Sequence, residues 1–157
     1  MIEKFKIDIP EEKISKIKDK VKNYPWNLIS DLPGWKYGTN LSYLKEVCNY
    51  WIKDFNWRVY ENKINNFTNF KTNVDGIDIH FIKEEGSGPN PKTLLLMHGW
   101  PGSVIEFIEI INQLAHPENY GGKEEDGMTI IAPSLPGFAF SGAPSKPYGP
   151  RKIAEIL

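Results

Sequence analysis

The chain has 157 residues, 40% of them apolar and 25% charged, with 19 Lys and Arg against 20 Asp and Glu for a formal net charge of −1. That balance supports one soluble globular unit with a real core and argues against nucleic acid or an anionic membrane surface, which draw single-sign fields. The single cysteine, Cys48, excludes an internal disulfide framework and a cysteine-based zinc cluster. No run of about 18 apolar residues is present, so no transmembrane segment is expected. The opening MIEKFKIDIPEE breaks its apolar positions with charges instead of building a signal-peptide core, and a cytoplasmic location is the expectation.

A first helix is expected over roughly Glu11 to Asn23, with Ile14, Ile17 and Val21 on one face and Pro10 at the first helical position. Its lysines Lys13, Lys16 and Lys20 read as a solvated side, and interspersed Glu11, Glu12 and Asp19 favour packing on the same chain over a membrane-surface or partner role. The segment PWNLISDLPGWKYGTN reads as irregular backbone pinned by Trp26, Leu28, Trp35 and Tyr37. A second helix follows from about Leu41 to Phe55, capped by Thr39 or Asn40, with Cys48 in its apolar stripe as a buried thiol. The polar stretch ENKINN follows.

Next, FKTNVDG and IDIHFIK alternate around Asp75-Gly76, which predicts a hairpin. Ile77, Ile79 and Phe81 share one face, leaving His80 on the other with Asp78 and Ile82 in a structural or solvated role. After the linker EEGSGPNP, Thr93–Met97 reads as a buried strand that ends at His98-Gly99. SVIEFIEIINQLA then predicts one helix with Val104, Phe107, Ile108, Ile111 and Leu114 inward, opened by a Ser103/Glu106 capping box. HPENYGGKEEDG is a surface loop, MTIIAPSLPG a second buried strand with a proline-rich turn, and a last helix starts near Pro150. The pattern predicts an α/β class: a mostly parallel sheet with an antiparallel entry and a helical prefix.

The sharpest chemical feature is His98-Gly99-Trp100-Pro101-Gly102-Ser103, where two glycines admit close backbone approach and amides at a helix start face an anion. Pro101 has no N–H, so Trp100, Gly102 and Ser103 are the candidate peptide donors. The chain contains no G-x-S-x-G, Walker loop, G-x-G-x-x-G or H-E-x-x-H motif. Ser103 is occupied as a cap, while Ser134 and Ser141 lack the glycine bracket of a hydrolytic serine. His80, His98 and His116 lack metal-like spacing, and Glu124 and Glu125 read as a solvated loop, so neither a metal nor a cofactor is expected. Asn40-Leu41-Ser42 and Asn66-Phe67-Thr68 match glycosylation acceptors but carry little weight without secretory targeting.

Taken together, FKIDIPEE, GWKYGTNLSYLKEVCNYWIKDFNWR, FTNFKTNVDGIDIHFIK, LLLMHGWPGSVIEF, IIAPSLPGFAFS and GPRKIA resemble the amino-terminal portion of the microsomal-type epoxide hydrolases, a branch of the α/β-hydrolase superfamily. The resemblance implies an epoxide-hydrolase-type N-terminal region over 1–72 and the first part of an α/β-hydrolase domain over 73–157. The family opens epoxides with an aspartate carboxylate and hydrolyses the resulting alkyl-enzyme ester with a histidine-activated water. Its H-G-x-P motif matches His98, Gly99, Trp100 and Pro101, implying that the Trp100 N–H is half of an oxyanion hole, with His98, Gly99, Pro101 and Gly102 setting the loop geometry and a cis peptide before Pro101. The family's aspartate, lid tyrosines, acid and histidine fall beyond Leu157, so the expected product is a fragment, inactive alone, whose sheet stops before the nucleophile strand and leaves the Thr93–Met97 strand at an open edge. A small hydrophobic epoxide is the expected substrate once a complementing downstream chain completes the domain. The other readings are a noncatalytic binding or complementation module and, more weakly, a serine esterase.

Overall fold

A two-residue turn at Asp75 (φ 51°) and Gly76 (φ 80°) folds the central hairpin, because both positions need a left-handed backbone and Asp-Gly supplies it at low steric cost. In the computed structural model, which describes residues 1–28 and 34–157, the flanking strands are β2 (Thr68–Val74) and β3 (Ile77–Glu84), antiparallel with Val74 opposite Ile77. A short strand that the alternation does not announce, β1 (Ile2–Lys4), adds antiparallel to β2. On the other side β3 pairs antiparallel with β5 (Met128–Pro133), which pairs parallel with β4 (Lys92–Leu95). The order is β1-β2-β3-β5-β4.

The sheet is therefore mixed, with one parallel pair, rather than mostly parallel. The chain enters through antiparallel strands and makes a single β4-to-β5 crossover, so only that step demands parallel pairing. β4 is shorter than the expected Thr93–Met97 strand and lies at the edge, with Leu95 and Met97 about half exposed. Among the described residues no strand covers its outer side. Helices followed by this open five-stranded sheet make a partial α/β-hydrolase architecture.

The chain divides into two compact units, Asp8–Glu61 and Met1–Ile7 with Asn62–Leu157. Within the sheet unit, Ile82, Ile130 and Ala132 are buried on one face with Val104, Ile111 and Ala115. The expected single helix after Ser103 is instead a 3₁₀ turn at Val104–Phe107 and a separate α-helix over Ile111–Ala115. Amides of Ile108 and Ile110 bond three residues back, to Ile105 and Phe107, so the winding is tight through a stretch crowded with β-branched isoleucines. On the other face Ile77 and Ile79 pack with Ile156 of the last helix, Pro150–Ile156. That face keeps an apolar groove of about 280 Å³, lined by Ile79, Phe81, Leu95, Ile131 and Leu157 among others.

The helical unit contains α1 (Glu11–Lys22), packed with α2 (Leu41–Lys53). Pro10 is the residue preceding α1 rather than its first helical residue. Asn40, not Thr39, caps α2, its Oδ1 accepting from the Tyr43 N–H at 3.0 Å. Cys48 is half-buried rather than fully enclosed. Most of the polar ENKINN stretch belongs to a helix that the sequence reading does not include, α3 (Trp57–Asn65), whose Ile64 is fully buried. Glu61 explains its start. Its buried carboxylate accepts from the Ile9 N–H (2.7 Å), the Arg58 guanidinium (2.6 Å) and the Trp57 indole N–H (3.0 Å). Burial pushes this carboxyl up, but the three donors outweigh it and hold the pKa below the ordinary value. The expected pinning by Leu28, and positions 29–33 of the irregular segment, lie outside the described residues, whereas Trp35 and Tyr37 stand largely exposed.

Ala139 is a non-glycine residue at φ 44°, within the loop that follows β5. A Cβ in the left-handed region costs about 1–2 kcal/mol, partly offset in comparison with glycine by a less mobile unfolded chain. Ala139→Gly is expected to raise the unfolding free energy by up to about 1 kcal/mol in urea titrations; a loss of stability would show that residue 139 is not held left-handed.

Candidate functional site

The parallel pair places the ends of β4 and β5 side by side, and the loops that leave them meet. From β4 come His98 to Ser103; from β5 come Ser134 to Gly142. His98 is 4% exposed and joins the two. Its Nε2 accepts from the Leu135 N–H at 3.1 Å, so the ring proton sits on Nδ1, which donates to the Gly99 carbonyl at 3.1 Å. The ring stands edge-on to Phe138, 5.4 Å between centroids.

Trp100 is joined to Pro101 by a cis peptide bond, as the resemblance implies, and its indole is 85% exposed. The capping box is present: Ser103 Oγ accepts from the Ile105 N–H, and Glu106 Oε1 accepts from the Ser103 N–H at 3.2 Å. This removes Ser103 from the three candidate donors, because its amide already has an anionic partner. The same carboxylate explains Gly102, where a Cβ would collide with Glu106 Oε1. Among the described residues, the Trp100 and Gly102 amides donate to no protein group. Unpaired amides of this kind are the groups that can receive a developing negative charge.

Beneath this turn lies a polar cluster that alternation in the sequence does not reveal. His80 and Ser134 are fully buried, and Asn69 is nearly so. Ser134 Oγ lies 2.8 Å from His80 Nδ1, and His80 Nε2 lies 2.9 Å from Asn69 Oδ1. Asn69 commits its amide hydrogens to the Ile64 and Phe67 carbonyls, so its oxygen accepts, His80 Nε2 donates and the Ser134 hydroxyl donates to Nδ1. The order serine, histidine, asparagine imitates a nucleophilic relay, but full burial denies Ser134 any substrate. Ser141 is tied into the same cluster, accepting from the His80 N–H at 2.9 Å and donating to the Ser134 carbonyl at 2.7 Å. The signal for this cluster was the polar pair Asn69 and His80, which the hairpin register puts on the same face as the buried Ile82.

His116 lies apart from the turn, 3.0 Å from Glu84 and 3.8 Å from Glu118 through opposite ring nitrogens. Those carboxylates diverge from the ring rather than converging on one point. Asp75 pairs with Lys152 and Asp78 with Asn73, and Asp126 lies in a short surface turn.

A family model described as epoxide hydrolase N terminus matches residues 2–107. A putative epoxide hydrolase of Stigmatella aurantiaca is 39% identical over 152 residues, covering 96% of this chain and 34% of that protein. Epoxide hydrolase 1 of Sus scrofa is 37% identical over 149 residues, covering 92% and 33%. The crystal structure of juvenile hormone epoxide hydrolase from the silkworm Bombyx mori is similar with a TM-score of 0.85 and 32% identity, over 99% of this chain and 37% of that one. The chain spans about a third of the length of the curated relatives it matches. Among the described residues no helix is long and apolar enough to cross a membrane.

Burial, with a smaller contribution from the Lys71 charge, lowers the His80 pKa from 6.5 to about 4. The unfolded imidazole takes up its proton near pH 6.5, so below that point the unfolded state binds more protons and stability falls with pH until the folded ring also protonates near pH 4. Stability conferred by the neutral ring is complete above pH 6.5. Over pH 7.5 to 5.0 the wild-type chain is expected to lose about 2 kcal/mol more than His80→Gln in urea unfolding; equal losses would show that the ring is not held neutral.

Proposed function

Since this chain belongs to the epoxide hydrolase N terminus family, we propose that it forms the oxyanion-binding part of an epoxide hydrolase, with the Trp100 N–H as the principal donor and His98, Gly99, Pro101 and Gly102 setting the turn. The observation that carries this reading is the pair of unengaged amides at Trp100 and Gly102, held on a turn that His98 and the Ser103/Glu106 box fix from both sides. Charge reaches the carbonyl oxygen when water attacks an alkyl-enzyme ester, and that is the step such donors accelerate. By the family resemblance, the carboxylate that opens a small hydrophobic epoxide and the histidine that activates water are expected in the remaining two thirds of the relatives' length. Glu106, the acid at the turn, is committed to the Ser103 amide in the capping box, and the 157-residue chain by itself is expected to give only background diol. The division into a 1–72 N-terminal region and a 73–157 hydrolase segment, and a cytoplasmic location, belong to the same proposal.

A second reading, a complementation module, is favoured by the uncovered side of β4 and the apolar groove beside Leu95. An unpaired apolar edge takes up another strand readily. Mixing this chain with the separately expressed remainder of the Stigmatella relative is expected to yield a heterodimer on size exclusion and epoxide turnover; elution as two separate species would end that reading.

The oxyanion role is tested in a chimera in which the chain replaces the aligned third of the same relative. Replacing the Trp100 N–H by an ester oxygen removes one donor and leaves the side chain intact. Turnover is expected to fall about 10²–10³-fold with alkyl-enzyme accumulating. Unchanged hydrolysis of the intermediate would place the donor elsewhere.

A further inference from the structure

Ser141 has no partner in the motif that points to Trp100, yet the hydrogen bonds connect them. A peptide group is planar and carries a carbonyl on one side and the next residue's N–H on the other. Whatever holds the carbonyl therefore aims the N–H. Ser141 Oγ donates to the Ser134 carbonyl at 2.7 Å, and the N–H of that same peptide, on Leu135, donates to His98 Nε2 at 3.1 Å. His98 Nδ1 in turn donates to the Gly99 carbonyl at 3.1 Å, and the N–H of that second peptide belongs to Trp100. Two peptide planes and one imidazole thus run without a gap from Ser141 to the proposed donor.

We propose that Ser141 is a positioning residue that orients and polarises the Trp100 amide through the Ser134–Leu135 peptide, the His98 ring and the Gly99–Trp100 peptide. The functional meaning of this relay rests on the oxyanion reading above, whereas its geometry does not. Every group in the chain accepts at one end and donates at the other, all in one direction. The His80 N–H feeds Ser141 Oγ at 2.9 Å, and the series ends at the Trp100 N–H, which has no acceptor among the described residues. Hydrogen bonds arranged head to tail strengthen one another, so the terminal amide is a better donor than an isolated one. The relay is also anchored. Ser134 is clamped through its N–H to the His80 carbonyl at 2.8 Å and through its hydroxyl to the His80 ring, so the 134–135 peptide cannot rotate to escape the loss of one bond cheaply.

This arrangement gives His98 a defined duty. The ring is a two-ended adaptor that has to accept at Nε2 and donate at Nδ1, and the opposite tautomer would set a ring N–H against the Leu135 N–H and leave the Gly99 carbonyl unpaired. Ser141 enforces that choice from seven residues along its own loop without touching the ring.

The test is made on the ligand-free 157-residue chain by ¹⁵N NMR. In the wild type, a ¹⁵N–¹⁵N coupling across the Leu135 N–H···Nε2 bond is expected, with the His98 nitrogens showing a protonated Nδ1 and an unprotonated Nε2. Its absence would overturn the proposal without recourse to any variant. Ser141→Ala is expected to mix the His98 tautomers, move the Trp100 amide proton upfield and speed Leu135 deuterium exchange by about tenfold. The Ile9 amide, held by Glu61, is expected to exchange as in the wild type, and Ser141→Thr is expected to restore the His98 and Trp100 signals. Wild-type signals in Ser141→Ala, no restoration by threonine, or equal acceleration at Ile9 would each refute the relay. In the chimera, Ser141→Ala is expected to lower kcat with KM unchanged. If the ligand-free signals respond as described while the ester at residue 100 leaves turnover intact, the oxyanion reading fails and the relay stands.

Discussion

An imidazole enclosed in protein has to satisfy two nitrogens of opposite character, and His80 does so in a space walled by Phe5 and Phe140. An unmet polar atom there would cost about 1–3 kcal/mol, comparable to a sizeable part of a small domain's net stability. The solution draws a residue from each side of β3: Asn69 from β2 and Ser134 from the end of β5. Because Asn69 is itself locked by two carbonyls, the direction of every proton in the cluster follows from one fixed amide. The outcome is mechanical. The strand ends and the loop after β5 have no freedom to slide relative to the hairpin without orphaning a buried group.

Local chemistry was legible wherever one short signal decides the outcome. Asp75-Gly76 demanded a tight turn, Thr39 or Asn40 a helix start, and Ser103 with Glu106 a capping box; all three features are found, with Asn40 as the cap. Features that depend on tertiary partners were not. α3 looks polar because Glu61, Lys63 and Asn65 surround Ile64, yet Glu61 is an internal acceptor and Asn65 exchanges two hydrogen bonds with the Ile7 backbone. The strand β1 is three residues long and exists because β2 offers it an edge. The predicted helix after Ser103 had the correct inward residues, Val104 and Ile111, but periodicity is blind to crowding by consecutive β-branched side chains.

The candidate site divides along the same line. Two glycines around a Trp-Pro step, between a strand and a cap, marked the loop from the sequence alone, and the three possible donors followed from proline's missing N–H. Choosing among them needed the side chain of Glu106, which occupies one amide and would have to move to admit a Cβ at Gly102. Taken singly, His80, Ser134 and Ser141 mark no site, since nothing in the spacing of 80, 134 and 141 states that they meet. They meet because β3 and β5 pair with Phe81 opposite Pro133, a long-range register that local pattern does not encode.

That register also explains why the candidate site lies at this end of the sheet and not the other. Antiparallel strands send their exits to opposite ends, so β1, β2 and β3 cannot gather two loops in one place. β4 and β5 run parallel, and both leave at the same end. A crevice outside the carboxyl ends of parallel strands is where open α/β sheets characteristically receive ligands. One loop supplies glycine-rich backbone with free amides; its neighbour supplies the Leu135 N–H that holds His98. On the oxyanion reading proposed above, the loop with free donors needs an external clamp because its own backbone groups must stay unpaired to be useful, and a turn that satisfied itself would present nothing to a developing charge. Placing the clamp on an adjacent parallel strand supplies rigidity without consuming the donors.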